Sequence, residues 1–535
     1  MTQLEASFAL LLAALIIAVL AKRFDLPYPI ALLVGGLLLA LVPGLPAVSV
    51  DPQVIFFGLL PPVLFEAAYF TSFRDFWRWK RSILLLAVGL VTFTSGVVAA
   101  LCHYLIPGMN WATGFVVGAI VSPPDAAAAV SILRGMGLPR RVVQILEGES
   151  LVNDAAALTI YRFAVAAVVT GTFSLPRAAL TFVWIAGGGT LIGLALGWLW
   201  VKIFPKLRDP EVEILASFLL AFLSYFLAEE VHASGVMSTV AAGLVVGWHG
   251  PQLFSATTRI RATAVWQTAI FLINVVIFTI IGLELPPAVR SLAGYPMEWV
   301  LGWCAMVAVG IIVVRIGWVF LNAYWPHWVS ASVRATEEFP NWKGVTVTSW
   351  TGLRGVVSLA AAEALPLETA TGLPFPYRSL IIVLTFASIV ATLLFQGLSL
   401  RPLIRLLGIP RDRSSEEEQL AARIFAVENA LHRMAQLEDQ RAASDAVLAR
   451  VRGFFEDRLS DLRAQREIET GTEGPNRPEE FQTIAEQRVW FELARAEREA
   501  ILQLRRDQKL GDEALREIER DIDLLEARMV PRQSH

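Results

Sequence analysis

The chain has 535 residues, 55% of them hydrophobic, and a mean hydropathy of +0.56, which excludes a string of ordinary soluble domains and identifies a membrane protein. Residues 1–410 carry 24 Lys+Arg and 20 Asp+Glu, about 11% charged, whereas 411–535 carry 21 and 28, about 39%; the net charge of −3 thus splits into +4 and −7, and no basic surface for nucleic acid is present. Cys102 and Cys304, the two cysteines, both lie in apolar runs, which excludes a disulfide framework and a cysteine-based metal centre.

Cutting residues 1–410 at their charged and Pro/Gly-rich breaks gives thirteen apolar stretches: 5–21, 27–43, 53–70, 82–105, 111–132, 142–170, 178–201, 211–229, 235–248, 263–284, 298–325, 344–364 and 379–400. A spanning helix needs roughly 20 such residues to cross about 30 Å of hydrocarbon. The first stretch follows MTQLEAS and precedes Lys22 and Arg23, the reverse of a cleavable signal peptide's charge order, so it is expected to stay as a helix with its N-terminus outside. Sixteen Lys and Arg fall in loops after odd-numbered stretches, against three (Arg177, Arg290 and Arg378) after even-numbered ones. Cytoplasmic loops carry the excess, so the C-terminal region is expected in the cytoplasm. One missed span would scramble every later loop, so the asymmetry also supports the count.

Charges inside these stretches are few, and each costs at least about 2.5–3.5 kcal/mol at bilayer centre unless it has a partner or a purpose. The fifth stretch contains VSPPDAAAAV, with Ser122, Pro123, Pro124 and Asp125 near its middle. Two consecutive prolines remove two helical N–H groups and clash with the preceding turn, so a break is predicted there, exposing carbonyls beside a carboxylate. Unwound backbone at membrane depth is tolerated only where protein or a water-filled cavity satisfies it, which describes an ion site. The sixth stretch, LEGESLVNDAAAL, spaces Glu147, Ser150 and Asp154 three and four residues apart along one helical face, with Asn153 beside them. These hard oxygen ligands suit a dehydrated monovalent cation, and the absence of Cys and of paired His argues against a transition metal.

The twelfth stretch, WTGLRGVVSLAAAEAL, sets Gly352 and Gly355 on either side of Arg354 and weakens the helix at its middle. Arg354 needs a counter-ion, for which Glu147 is the first candidate and Glu149 the second. Stretches five and twelve are seven apart and so run in opposite directions. Paired interrupted helices in two inverted halves are the sequence mark of a secondary transporter's binding site. The expected fold is an all-α polytopic membrane protein of about 13 transmembrane helices, with inverted repeats (1–6 and 8–13) and two interrupted crossing helices.

SPPD on stretch five, LEGESLVND on six, GLRGVVSLA on twelve and LPPVLFEAAY on three together resemble the electroneutral branch of the cation/proton antiporter superfamily, the bacterial sodium/proton antiporters related to animal sodium/proton exchangers. The resemblance covers residues 1–410. It implies a homodimer in the cell inner membrane, each protomer with dimerisation helices 1–3 and 7–10 and a mobile core of helices 4–6 and 11–13. It implies that Asp154 carries either cation or proton, with Asn153 beside it. Ser150 and Asp125 would complete a Na⁺ site, with Li⁺ or K⁺ as alternative cargo, and Glu147 would pair with Arg354. Glu66 takes a lesser role. One departure concerns stretch five, where the common SPTDP becomes SPPDA: Pro124 replaces a threonine ligand and Ala126 a proline. If cation and proton cannot occupy Asp154 together, exchange is one for one and electroneutral, a contribution to pH homeostasis that needs no cofactor.

Rival classes fare worse. A cation channel would also use membrane carboxylates, but no TVGYG-like filter loop is present. Neither Asp125 nor Asp154 sits in the YD or GxGD setting of an intramembrane aspartyl protease. GGGT at 187–190 lacks the lysine of a phosphate-binding loop, so nucleotide-driven pumping has no motif, and a transporter that is not an enzyme is expected. Glu284, in GLELPP, reads as a solvated helix-end charge, and FWRWK at 76–80 as an interfacial anchor in the lipid bilayer. The tail, 411–535, is expected to form helices near 415–468 and 479–529 around GTEGPNRP at 471–478, with a solvated amphipathic hairpin as the simplest arrangement.

Overall fold

The computed structural model describes residues 3–24, 26–41, 53–133, 136, 138–171, 175–290, 292, 294–336, 339–409, 414–440 and 444–470. The elements are α1 (Gln3–Arg23), α2 (Tyr28–Ala40), a π-helical turn Val54–Leu59 running into α3 (Leu60–Phe70), α4 (Phe73–Arg78), and α5 (Lys80–Leu84), joined through a second π-helical turn Leu85–Leu90 to α6 (Val91–Leu105). Next come α7 (Trp111–Val121), α8 (Ala126–Leu133), α9 (Arg140–Thr170), α10 (Leu175–Leu207), α11 (Pro210–Glu230), α12 (Gly235–Leu253) and α13 (Ala256–Arg290). Then follow α14 (Met297–Val329), α15 (Ala331–Thr336), α16 (Trp342–Trp350), α17 (Val356–Glu363) and α18 (Arg378–Ala391), which passes through a third π-helical turn, Thr392–Gly397, into α19 (Leu398–Leu407). The tail contributes α20 (Ser414–Asp439) and α21 (Asp445–Thr470). Among the described residues the only β pairing is an isolated bridge between Glu368 and Pro374.

Each of the thirteen predicted stretches coincides with one helix or with a helix in two parts. Seven are long and apolar enough to cross a membrane as continuous helices, and shorter apolar helices, α2 and α7 among them, supply others. Polar caps place several ends. Asp209 accepts from the amides of Glu211 and Val212 ahead of α11, Asn110 from Thr113 ahead of α7, and Ser234 from Met237 ahead of α12. Between the third and fourth stretches, α4 carries exposed Phe73 and Trp77, with the Lys80 ammonium 3.8 Å from the Trp77 ring, as expected of an interfacial anchor. One expectation fails. The α13 helix continues through Pro286 and Pro287 to Arg290, so Glu284 is carried inside and is buried rather than solvated.

Buried apolar side chains fall into separate groups. One cluster joins α3, α10, α11, α12 and α13 through Phe65, Phe204, Leu220, Ala242 and Trp266. Another joins the Leu85–Leu90 turn, α9, α14 and α16 through Leu86, Leu90, Ile145, Val319 and Val345. Between them, Leu151 and Ala155 of α9 meet Leu60, Leu64, Tyr225 and Val240.

In lipid, helix association rests on close van der Waals contact between small residues, not on apolar burial from water. The glycines of GGGTLIGLALG serve that end. Gly189, Gly193 and Gly197 lie one turn apart on α10, and Cβ atoms there would overlap the carbonyls of Ser234 and Ser238 and approach Ala242 Cα at 3.2 Å on the Ser234–α12 segment. Gly193→Ala should force this seam apart and destabilise the protein by about 1–3 kcal/mol. The measurement is a lowered thermal unfolding midpoint of the purified protein, with Gly187→Ala, where a Cβ meets nothing within 4 Å, as the unaffected control.

The described tail residues belong to a compact unit of their own. The single helix expected over 415–468 is instead two: α20 ends at Asp439, and α21 begins at Asp445, where the Ser444 carbonyl accepts from Val447 and Leu448. Leu420, Ile424 and Val427 of α20 pack on Leu459 and Phe455 of α21, and Arg463 bonds Glu428 at 2.8 Å, giving a helical hairpin. The stretch expected over 479–529 lies outside the described residues.

Candidate functional site

Both predicted breaks are present. The α7 helix stops at Val121, Ser122–Asp125 is non-helical, and α8 resumes at Ala126; α16 stops at Trp350, 351–355 is irregular, and α17 starts at Val356. Pro123 and Pro124 cannot donate, so the last carbonyls of α7 need partners from elsewhere. Arg354, 2% exposed, supplies them: Nε donates to Val121 O at 2.9 Å, Nη2 to Ser122 O at 3.3 Å, and Nη1 to Gly352 O. The two breaks therefore cross in contact. The Asp125 amide donates to Leu353 O at 2.6 Å, and the Arg354 amide to Thr392 Oγ1 at 3.1 Å. Gly355 lies flat against the Asp125 carboxyl group, whose Oδ1 accepts from the Ala128 amide at 3.3 Å and so caps α8.

The α9 helix passes beside this crossing. Asn153 is fully buried; its Nδ2 donates to Pro124 O at 2.7 Å, while its Oδ1 has no hydrogen-bond partner. Asp154 is 9% exposed, lies close enough to Asp125 for the two carboxylates to repel, and accepts no hydrogen bond from any described residue. Ser150, half-buried, is one turn earlier on α9. The result is a pocket-like junction of unwound backbone, an orphaned amide oxygen and two carboxylates, which offers acceptors and negative charge but few donors. A small cation or a proton satisfies such a set.

The arginine chemistry differs from expectation. The partners of Arg354 are the backbone carbonyls of Val121, Ser122 and Gly352, not the Glu147 carboxylate, because the break after α7 leaves the Val121 and Ser122 carbonyls without helical donors. The buried ion pair at this depth instead joins Glu149 on α9 to Arg315 on α14 through two bonds of 2.6 and 3.0 Å, both residues 1% exposed. Arg315 Nη2 also donates to Thr348 O at 3.2 Å, and Gly352 sits between the Arg315 and Arg354 side chains. Glu147 is half-buried and engaged elsewhere. Arg315 escaped the sequence reading, although its signal was plain: it is the lone basic residue in the interior of a 33-residue helix of hydropathy 2.4.

Eight residues beyond Asp154 on α9, Arg162 grips Glu229 of α11 through bonds of 2.9 and 2.8 Å, and Glu229 Oε1 also accepts from the Gly235 amide at the start of α12. Polar bridging thus ties α9 to the α11–α12 pair. Among the described residues, no cluster of three or more His, Cys, Asp and Glu forms a metal-binding group.

Comparison with known proteins agrees with this architecture. Residues 10–406 match the family model described as sodium/hydrogen exchanger, transmembrane. An uncharacterised Na⁺/H⁺ exchanger of Mycobacterium tuberculosis is 32% identical over 530 residues, covering 98% of this chain and 95% of that one. The Na⁺/H⁺ antiporter of Halobacillus dabanensis is 31% identical over 421 residues, 75% of this chain and 97% of that one. A sodium, potassium, lithium and rubidium/H⁺ antiporter of Bacillus subtilis is 30% identical over 397 residues, 72% and 59%. The solved sodium proton antiporter of Methanocaldococcus jannaschii superposes with a TM-score of 0.60 at 19% identity, over 76% of this chain and all of that one, a likeness of fold.

Proposed function

The chain belongs to the sodium/hydrogen exchanger family, whose members exchange a monovalent cation for protons across a membrane, and from that premise we propose that Asp154 is the carboxylate both ions share. The observation that carries this reading is a nearly buried carboxylate with no protein donor, set at the crossing of two broken helices beside the orphaned Asn153 Oδ1. Asp125, Ser150 and Asn153 complete the cation's shell, and the backbone oxygens around Pro124 stand in for the missing threonine hydroxyl. A site loaded with either a cation or a proton carries the same charge, so exchange is one for one and electroneutral. The empty site, with two neighbouring carboxylates, is held back from crossing by its charge.

Alternating access follows from rocking of a core (α5–α9 and α14–α19) against a scaffold (α1–α3 and α10–α13). Two of the apolar clusters each fall within one side of that division, which supports it, and the Arg162–Glu229 bridge and the packing of Leu151 and Ala155 on Leu64, Tyr225 and Val240 are contacts that rocking has to change. The protein works as a homodimer in the bacterial plasma membrane, with its N-terminus outside and its tail in the cytoplasm; the lopsided distribution of Lys and Arg supports this orientation. Na⁺ is the primary cargo, and the broad-cation relatives favour Li⁺ and K⁺ as further substrates.

The test is collapse of an imposed proton gradient in proteoliposomes on adding Na⁺, Li⁺ or K⁺, with and without a potential-clamping ionophore. Saturable collapse that is indifferent to the clamp is expected; cation flux without proton flux would sink the reading. Gly355→Ala offers a second test of the crossing. Its Cβ would overlap the Asp125 carboxyl group, so the two breaks must separate. Exchange should drop on the order of tenfold or more while the protein remains folded and membrane-inserted.

A further inference from the structure

Away from the crossing, α3, α11 and α13 line a partly open pocket of about 20 Å³ at the end of α11 that starts with Pro210. The carboxylate of Glu213 lines it. Glu213 is 6% exposed, its Oε2 is sealed from solvent, and neither oxygen has a hydrogen-bond or ion-pair partner among the described residues. Of the basic groups nearby, Arg261 pairs with Glu211 at 3.3 Å, while Arg259 donates to the Phe254 carbonyl and lies within electrostatic reach of Tyr69 at the rim, with no hydrogen bond or ion pair to Glu213. An ionised carboxylate in that state is costly, so the cavity calls for positive charge.

Its polar lining points the same way. Ser217 Oγ donates to Ile214 O at 2.6 Å and accepts from Trp266 Nε1 at 3.0 Å, and Thr263 Oγ1 donates to Arg259 O at 2.9 Å. Their protons are spent, and what they turn towards the cavity is lone pairs. Thr258, 1% exposed, shares one hydrogen bond with Ser255. A volume of this size holds one water molecule or one bare alkali cation. A water leaves the carboxylate charge uncompensated, whereas a cation takes oxygen ligands from Glu213, Ser217, Thr258 and Thr263 and neutralises it.

We propose that Glu213, with Ser217, Thr258 and Thr263, forms a second monovalent-cation site in the scaffold, one that is not transported and that braces α11 against α3 and α13. It is independent of the role given to Asp154, which the test exploits. The full-length protein carrying Asp154→Asn is unfolded thermally in NaCl, LiCl, KCl or choline chloride at equal ionic strength. A saturable, alkali-specific rise in midpoint is expected to persist in Asp154→Asn and to vanish in Asp154→Asn/Glu213→Gln. In Asp154→Asn/Thr258→Val the half-saturating concentration should rise about tenfold, the worth of one good ligand contact.

Crystals soaked in Tl⁺ provide a readout that needs no variant, with an anomalous peak expected beside Glu213. No peak there, no alkali-specific rise in Asp154→Asn, or an equal rise in the Glu213→Gln double variant would each overturn the proposal. Whether Asp154→Asn still exchanges ions is read separately and bears on the transport site alone.

Discussion

Asp154→Asn is expected to abolish cation/proton exchange while leaving the protein folded. An amide neither takes up the transported proton nor neutralises a cation, and losing a charge-assisted contact of about 3 kcal/mol lowers cation affinity by about a hundredfold. The loss of turnover is larger still, because the return step with a bound proton disappears altogether. Folding should be spared, since Asp154 makes no hydrogen bond whose loss would leave a partner stranded. Asp154→Glu keeps the charge but moves it by one methylene, so partial activity with altered cation ranking is expected. Asp125→Ala should behave differently, because it removes the side-chain oxygen that caps α8; a loss of activity there comes with a loss of stability. The measurement is ²²Na⁺ uptake into proteoliposomes against a proton gradient. Uptake by Asp154→Asn above one tenth of the native rate would remove Asp154 from the mechanism.

The same competition fixes the sign of the pH response. A cation binds the deprotonated carboxylate, so acidification raises the half-saturating cation concentration, by about tenfold per pH unit once the site is mostly protonated. Maximal velocity at saturating cation moves much less at first, since excess cation displaces the proton. A half-saturating Na⁺ concentration that stayed constant across the active pH range would show that the two ions use separate sites.

Much of this was legible in the sequence because membranes enforce simple rules. Thirteen apolar stretches and the loop charges gave the helix order, and Pro123–Pro124 and the Gly352/Gly355 pair gave both breaks, since proline and glycine act locally on the backbone. Asp154, Asn153 and Asp125 stand out because carboxylates and amides are rare in spans. Long-range pairing was not legible. Spacing along α9 placed Glu147 on one face with Ser150 and Asp154, but only the packing of α14 against α9 and α16 decides that Glu149 meets Arg315. Likewise Arg354 was assigned a carboxylate partner, when its donors go to the carbonyls left open where α7 ends in the opposite half. The GGGT run needed a partner helix to declare itself a packing seam.

Glu149→Gln should be the most damaging single change to stability. It leaves the Arg315 guanidinium, 1% exposed, without its counter-charge, beside the equally buried Arg354 across Gly352. Breaking one partner of a buried ion pair typically costs about 3–5 kcal/mol, whereas replacing both by apolar residues of similar size is often neutral. Glu149→Leu/Arg315→Met should therefore recover most of the loss. Recovery stops short of complete, because Thr348 O also loses the Arg315 Nη2 donor. Thermal unfolding of the purified variants reads this directly, as a midpoint that falls steeply in the single variant and returns towards native in the double. If the double variant were no more stable than Glu149→Gln, the acid would matter for something other than neutralising Arg315. Its position five residues before Asp154, on the helix that carries the proposed ion site, would then make transport the next thing to measure.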